Sequence, residues 1–279
     1  MRQVLDLFKL RIGIAIAVAA LAGLAVERGA PPGAWPALAL VLAVLLSSAA
    51  AGAFNQYAER DLDARMARTR GRPFVTGALR HGPAWLWLIG AMTAAAVLAA
   101  AVATNAVAAL HVFLGASTYG VVYTVWLKRR TWCNIVVGGL AGSFAVLAGA
   151  AAVSPVPGPE ALALAVVLFL WTPPHFWSLA IACREDYAAA GVPMLPVVVG
   201  DAHAARAIFG GAALLVAASL VPLLYGLGWT YGAGAVAGGA WFLLKCRDLL
   251  ENPGRPAARA CFRASLVQLG AVLLGAILD

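Results

Sequence analysis

The chain has 279 residues, of which 63% are hydrophobic and only 11% are charged. A soluble domain of this length cannot cover its surface with so few charged groups, so the composition predicts an integral membrane protein. The formal net charge of +8 would also suit a nucleic-acid-binding protein, but the basic residues follow the topology rule described below and exclude that partner.

Apolar runs long enough to cross a bilayer as a helix, about 17–25 residues each, recur between short polar breaks along the whole chain. We predict one all-α domain over residues 1–279, in which two related four-helix units surround a central cavity and one helix is extra. The eighth run is short and rich in glycine, which indicates a tilted, broken or tightly packed helix. The nine predicted spans are 10–26, 35–57, 84–103, 105–127, 132–153, 161–183, 207–228, 229–244 and 262–278.

The basic residues indicate how these spans are oriented. With the N-terminus inside, every Lys and Arg except Arg28 lies in an inside segment or at the inside end of a span, as the positive-inside rule predicts. We therefore expect a multi-pass protein of the cell membrane, surrounded by the lipid bilayer, with a cytoplasmic N-terminus. A cleaved signal peptide containing Lys9 and Arg11 is the alternative interpretation of the first span.

Two polar loops, residues 59–83 and 184–206, interrupt the tight turns, and both lie on the predicted inside face. Transporters usually place their ionisable residues nearer to the middle of the membrane, along a path open to both sides. The position of the polar residues therefore favours an enzyme with its site at the cytoplasmic face. A heme- or ion-handling membrane transporter is the alternative from another functional class.

The strongest signal lies where the second span ends, in the run NQYAERDLD at residues 55–63. Asn55, Glu59 and Asp63 are four residues apart, so on an α-helix their side chains form one stripe, from which Asp61 points away. Mg²⁺ prefers a few carboxylates, with water and substrate phosphate completing its shell, so we predict a magnesium-diphosphate site here. The alternative is a solvated loop of weak surface ion pairs.

Cationic side chains that can hold a diphosphate lie near this stripe. The run RMARTRGRP at residues 65–73 supplies Arg68 and Arg72, whose guanidinium groups can bind phosphate oxygens in bidentate fashion. After the fourth span, Lys128 and Arg129 are further candidates for the diphosphate clamp, although adjacent cations often serve only to fix topology.

The second polar cluster contains the run WTPPHFW at residues 171–177 and continues to Asp186 and Tyr187. His175 and Asp186 are separated by nearly three helical turns, so we expect them to share a helix face. A histidine inside a membrane helix is a functional candidate that can bond a heme propionate, ligate iron or relay a proton. The alternative is an interfacial aromatic belt with a satisfied histidine; His111, alone in the fourth span, is interpreted as packing.

Together these runs resemble the UbiA-type intramembrane prenyltransferases, and among them the group that farnesylates heme. Quinone-prenylating relatives usually carry a second Asp-rich motif after the sixth helix, where this chain has His175 and only Asp186. The resemblance covers residues 7–200 and is strongest at 55–73, 128–131 (KRRT), 134–139 (NIVVGG), 171–177, 186–187 and 193–197 (PMLPV).

The resemblance implies that farnesyl diphosphate and protoheme IX (heme B) react to give heme O and diphosphate, with Mg²⁺ bound to the diphosphate. It also implies heme A synthase or a terminal oxidase assembly as downstream partners. A prenyltransferase for an aromatic quinone precursor is the nearest alternative. The predicted catalytic residues are Asn55, Glu59, Asp63, Arg68, Arg72, Lys128, Arg129 and Asp186, of which the first three are the metal ligands; the predicted heme-binding residues are His175, Trp171, Phe176, Trp177 and Tyr187.

The chain departs from the family pattern in two regions. Near the start, Leu10 replaces the proline of a Lys-Pro-Arg run. Later, Phe144-Ala145 replace Pro-Pro, and Gly149-Ala150 replace Gly-Trp. We expect these changes to reshape the acceptor pocket and to leave the diphosphate site intact.

Overall fold

The computed structural model describes residues 6–279, and this part of the chain is helical with no β-strand. It contains nine long helices, joined on one side by loops that carry short helices. In chain order the long helices are α1 (Leu10–Val26), α2 (Ala34–Ala58), α3 (Ala84–Ala103), α4 (Ala106–Leu127), α5 (Asn134–Val153), α6 (Pro159–Ala182), α7 (Asp201–Tyr225), α8 (Trp229–Glu251) and α9 (Arg255–Leu278).

Seven of the nine helices in the described part of the chain are long and apolar enough to cross a membrane; α1 and α8 fall outside that set. Helix α1 is apolar but has only 17 residues. The all-helical architecture is thus confirmed, with seven apolar spans. Helices α7 and α9 begin earlier than predicted, because the hydropathy pattern marks only the apolar part of a helix whose first turns are polar.

The predicted end of the eighth span at residue 244 is wrong, since α8 runs unbroken to Glu251. Its last turns are polar but remain helical, with ion pairs from Lys245 to Asp248 and from Arg247 to Glu251. Its glycines serve tight packing: a Cβ at Gly234 would lie 2.7 Å from the carbonyl oxygen of Ala271 in α9.

The long helices form a closed ring. Each helix packs against the next, and α9 contacts both α1 and α6. Helices α1 and α5 meet backbone to backbone, since a Cβ at Gly23 would collide with the Val146 carbonyl and one at Gly149 with the Ala20 carbonyl. Small residues of this kind allow the close approach that stabilises helix pairs in membranes.

The two long polar loops lie at the same end of the ring. The loop after α2 contains short helices at Arg60–Arg65 and Pro73–Thr76, and the loop after α6 contains short helices at Arg184–Ala189 and Leu195–Val199. The backbone N–H of Ala67 in the first loop donates to Asp186 in the second loop, at 2.9 Å. The segments that carry the predicted site are therefore brought together.

Candidate functional site: a buried acidic stripe at the end of helix α2

The acidic stripe runs from the end of α2 into the short helix Arg60–Arg65, and the hydrogen bonds continue across Glu59 between them. The N–H of Glu59 donates to the Asn55 carbonyl at 3.0 Å, and that of Asp63 donates to the Glu59 carbonyl at 2.8 Å. Asn55, Glu59 and Asp63 are 2%, 1% and 2% exposed, respectively. In contrast, the side chain of Asp61 is 52% exposed. The structure thus places the three side chains on one buried face and Asp61 outside it.

Two cations, one from the end of α4 and one from the same polar loop, pair with the carboxylates of the stripe. Lys128 Nζ lies 2.6 Å from Glu59 Oε2. Arg72 donates to both carboxylate oxygens of Asp63, at 2.8 and 2.7 Å. Burying charges costs solvation energy that is recovered only through close pairing. These are therefore not the weak, solvated ion pairs of the alternative interpretation, and the stripe is a preformed polar site.

Lys128 and Arg129 are adjacent in sequence but contact different partners. Arg129 donates to both carboxylate oxygens of Asp61, at 2.8 and 2.7 Å, and both side chains are substantially exposed. The guanidinium of Arg129 holds the pKa of the Asp61 carboxyl below its usual range, chiefly through these hydrogen bonds. The structure therefore brings Lys128 into the stripe and leaves Arg129 at the rim.

A π-helical segment in α4 positions the groups that face the stripe. Helix α4 changes from α to π geometry over Thr118–Leu127, and the N–H of Lys128 donates to the Tyr123 carbonyl at 2.9 Å, five residues back. Thr124 Oγ1 accepts a hydrogen bond from Asn55 Nδ2 at 3.0 Å. Short π-helical segments are rare and frequent at functional sites. A single sequence carries no clear signal for one, so this arrangement could not be predicted.

Lys9 is a site residue that the sequence interpretation missed. Its Nζ donates to Asn55 Oδ1 at 2.6 Å and to the Tyr119 hydroxyl at 3.1 Å. Burial lowers the pKa of Lys9 to about 7, and the charges of Arg72 and Lys128 act in the same direction. The available signal is its place in the Lys-x-Arg run before the first span, which we interpret from the sequence as a topology or signal-peptide feature and as a departure from the family pattern at Leu10.

The second polar loop closes the opposite side of the site. Arg68 lies 3.5 Å from the Tyr187 hydroxyl, with its guanidinium 5.9 Å from the centre of the Tyr187 ring. Asp186 accepts the hydrogen bond from the Ala67 N–H. Asp186 therefore contacts the loop that carries Arg68 and Arg72, whereas the carboxylates of the stripe contact the cations directly.

His175 lies in the packing between α6 and α9. Its ring is stacked between Trp171 and Phe262, with centroid distances of 4.0 and 4.4 Å. Its Nδ1 lies 2.6 Å from Ser265 Oγ. The expectation that His175 and Asp186 share one helix face is wrong, because His175 contacts Ser265 of α9, whereas Asp186 lies on the short helix after α6 and accepts a hydrogen bond from the first polar loop.

The remaining predicted aromatic residues of α6 lie beside His175. Phe176 packs edge-on against the His175 ring, at 4.9 Å between centroids. The rings of Trp177 and Trp132 are 6.2 Å apart. Trp177 Nε1 is buried and has no hydrogen-bond partner among residues 6–279, so one donor of this cluster is available to a ligand.

An apolar cavity of about 90 Å³ runs between α1, α2, α4 and α5. Lys9 and Tyr119 line one end, next to the acidic stripe, and His111 lines the other end. His111, interpreted as packing, therefore borders a cavity.

The stripe fits a magnesium ion that is bound together with phosphate. Among the described residues, no group of three or more His, Cys, Asp or Glu side chains is placed to hold a metal by itself. Glu59 Oε1 is buried without a hydrogen-bond partner in residues 6–279. Two carboxylates and the amide of Asn55 match the partial set of oxygen ligands that Mg²⁺ uses when phosphate completes its shell.

The sequence and fold match known proteins along nearly the whole chain. A model of the UbiA prenyltransferase family matches residues 16–267. The chain belongs to the UbiA prenyltransferase family. It is 57% identical to Protoheme IX farnesyltransferase 2 of Paramagnetospirillum magneticum, over 98% of this chain and 95% of that protein. It is 46% identical to Protoheme IX farnesyltransferase 1 of the same organism, over 100% of this chain and 98% of the relative.

Solved structures of UbiA proteins share the fold. A UbiA homologue from Archaeoglobus fulgidus bound to DMAPP and Mg²⁺ superposes with a TM-score of 0.77 at 17% identity, covering 97% of this chain and 99% of the homologue. The apo UbiA homologue from Aeropyrum pernix K1 gives a TM-score of 0.73 at 21% identity, covering 95% and 98%. The resemblance inferred from the motifs is thus confirmed, and the helical ring is the UbiA fold.

Proposed function

We propose that this protein transfers the farnesyl group of farnesyl diphosphate to a vinyl group of protoheme IX (heme B), giving heme O and diphosphate. The relatives of 57% and 46% identity that carry the name protoheme IX farnesyltransferase support this activity. The observation that carries it is the buried stripe of Asn55, Glu59 and Asp63, paired with cations and placed at the mouth of an apolar cavity. A prenyl diphosphate has the same division into an ionic head and an apolar chain.

The diphosphate is placed among Arg72, Lys128 and the acidic stripe. Asn55, Glu59 and Asp63 would hold Mg²⁺, which when bound supplies positive charge to the departing diphosphate. Arg72 and Lys128 already lie against the carboxylates, so they are positioned to donate hydrogen bonds to phosphate oxygens as charge develops there. Arg68 and Arg129 supply further positive charge at the edge of the site.

The reaction breaks the bond between C1 of the farnesyl group and the diphosphate oxygen, and the electron pair leaves with the diphosphate. The vinyl π electrons of heme then bond to C1. Water adds to the resulting cation and loses a proton, giving a hydroxyethylfarnesyl side chain. Tyr119 and Tyr123, whose rings stack 5.5 Å apart beside the stripe, present π faces that stabilise a cation and limit access of water.

The acceptor side is assigned to the aromatic residues at the end of α6. Phe176, Trp177 and Tyr187 are proposed to contact the porphyrin, and the unpartnered indole N–H of Trp177 is a donor for one of its polar groups. Trp171 and His175 are proposed to hold these side chains in place, because both are buried and hydrogen-bonded to Ser265. Asp186 positions the first polar loop over the diphosphate.

We also propose the membrane arrangement that the charges predict. All nine long helices span the bilayer of the cell membrane, with the N-terminus and both polar loops on the cytoplasmic side. The ring then consists of two related four-helix units and one extra helix. Heme A synthase or a terminal oxidase assembly would receive the product on that side.

Chromatography of the hemes extracted from cells that express this chain tests the proposed function. We expect a new, more hydrophobic heme with the wild-type protein and none with Asp63→Asn, when both proteins are present in the membrane in equal amounts. If the wild type produces no new heme, heme is not the acceptor. Assays of purified protein with farnesyl diphosphate and a hydroxybenzoate, and of heme flux across vesicles, then distinguish the quinone-precursor enzyme from a transporter.

A further inference from the structure

One end of the apolar cavity adjoins the proposed diphosphate site. Lys9 and Tyr119 line the cavity at that end and are hydrogen-bonded to each other. Lys9 also donates a hydrogen bond to Asn55 of the stripe. The walls beyond them are small or apolar side chains. A chain whose diphosphate is held at the stripe therefore extends into the cavity.

The depth of the cavity matches a defined chain length. Its lining extends from Gly52 to Val44 on α2 and from Tyr119 to His111 on α4, eight residues in each case. At about 1.5 Å per residue this is a depth of about 12 Å. An extended residue spans about 3.5 Å over three bonds, so the main chains of geranyl, farnesyl and geranylgeranyl groups are about 8, 13 and 18 Å long.

Side chains at the far end of the cavity are held in place by hydrogen bonds and packing. His111 is fixed by a hydrogen bond from Nδ1 to the Val107 carbonyl at 2.9 Å, and its ring lies 6.1 Å from that of Phe144. Beyond it, Asn105 Nδ2 donates to the Ala151 carbonyl and joins the start of α4 to the end of α5. On the other wall, Gly149 packs against the α1 backbone.

We propose that Val44, His111 and Ala148 form a stop that limits the prenyl donor to three isoprene units. This inference rests on the proposed prenyl transfer and adds to it the determinant of donor length. A geranyl group leaves the far third of the cavity unfilled, whereas a geranylgeranyl group is too long for it. Heme is a poorer occupant, because its two carboxylates would find no cationic side chain among the residues that line the far end.

The same assignment bears on one expectation from the sequence. Ala145 and Ala148 line this cavity, and Gly149 packs against the α1 backbone beside it. In this proposal the departures from the family pattern at Ala145 and Gly149 border the donor chain, whereas the sequence predicts that they reshape the acceptor pocket.

Two variants with opposite effects test the stop. His111→Ala enlarges the far end and is expected to raise the affinity for geranylgeranyl diphosphate relative to farnesyl diphosphate at least about tenfold. Ala148→Leu fills the far end and is expected to shift the preference toward geranyl diphosphate by a similar factor. Equilibrium binding of the three diphosphates to purified protein with Mg²⁺, without an acceptor, gives the affinity of each donor relative to farnesyl diphosphate. Values of kcat/KM with heme B give the same preferences in turnover.

Leu110→Ala is the matched control, because Leu110 is next to His111 but is 51% exposed and does not line the cavity. It should leave both ratios as in the wild type. If His111→Ala is folded and its ratios stay within about twofold of the wild-type values, the stop is refuted, even if Ala148→Leu does not fold. Unchanged ratios with a loss of heme affinity would instead assign the cavity to heme. Failure of the proposed function looks different: the wild type would bind prenyl diphosphates with a length preference and transfer none to heme.

Discussion

The loops after α2 and α6 have the same arrangement of short helices but different side-chain interactions. Each follows a long helix that ends in a polar run, and each carries two short helices at the polar end of the ring. In the first, two buried carboxylates contact cations, one from the same loop and one from the end of α4. In the second, Asp186 bonds to a backbone N–H, and His175 is enclosed by aromatic rings. Similar architecture therefore does not imply similar chemistry, and the ionic chemistry is concentrated in the first loop.

The largest effect is expected when the carboxylates of the first loop are neutralised. Glu59→Gln or Asp63→Asn should lower turnover about 1,000-fold or more, because a ligand for magnesium is lost and a buried cation loses its partner. Asp61→Asn is the control in the same run, since Asp61 is exposed and paired with Arg129; its rate should change less than about threefold. Initial rates of the purified variants measure these effects. An equal loss of turnover in all three variants would contradict the separation of the buried stripe from the exposed face that carries Asp61.

A second test separates the two adjacent cations. Lys128→Met should reduce kcat/KM for farnesyl diphosphate about 100-fold, because it removes a buried donor to the developing charge. Arg129→Met should cost less than about threefold, since Arg129 pairs with an exposed carboxylate. Steady-state kinetics of both variants provide the comparison. The assignment fails if Arg129→Met is the more damaging change.

In the second loop, Asp186→Ala should raise the KM for farnesyl diphosphate by up to about tenfold and leave kcat nearly unchanged, because a charged hydrogen bond to the first loop is lost. Its exposed neighbour Glu185 provides the control variant Glu185→Ala. A fall in kcat as large as that of Asp63→Asn would show that Asp186 acts directly on the reacting groups, and the two loops would then be chemically equivalent.

The smallest effect on turnover is expected at His175. His175→Ala should weaken heme binding by about threefold to tenfold through loss of the stacked contact with Trp171, with farnesyl diphosphate binding retained. His175→Phe keeps an aromatic ring in this position and should restore most of the heme affinity. Absorption titrations with heme measure both variants. If Phe is as damaging as Ala, the imidazole itself contacts heme.

The parts of the site that the sequence predicts are those that depend on local geometry. Asn55, Glu59 and Asp63 form a stripe because four-residue spacing on one helix has a fixed result. The share of the fold that could be predicted has the same origin, since apolar runs mark helices one at a time. Hydropathy did not give the true ends of α7, α8 and α9, where the helix continues through polar turns.

The parts that the sequence does not predict depend on contacts between distant segments. Lys9 meets Tyr119 only after α1 and α4 have packed, 110 positions apart in the chain. Lys128 and Arg129 contact different partners because they follow a π-helical segment. The positions of His175 and Asp186 relative to each other depend on where α6 ends, at Ala182. Neither feature leaves a periodic signal.

The ionised side chains of the site also determine which species it accepts. When Lys9 carries its proton, the three cations in contact with the stripe, Lys9, Arg72 and Lys128, exceed its two carboxylates, Glu59 and Asp63, by one positive charge, in a region where uncompensated charge is costly. A fully ionised diphosphate with one Mg²⁺ carries one net negative charge. The free metal is therefore repelled, whereas the metal-diphosphate complex makes the filled site electrically neutral. Charge balance thus favours the joint arrival of ion and substrate.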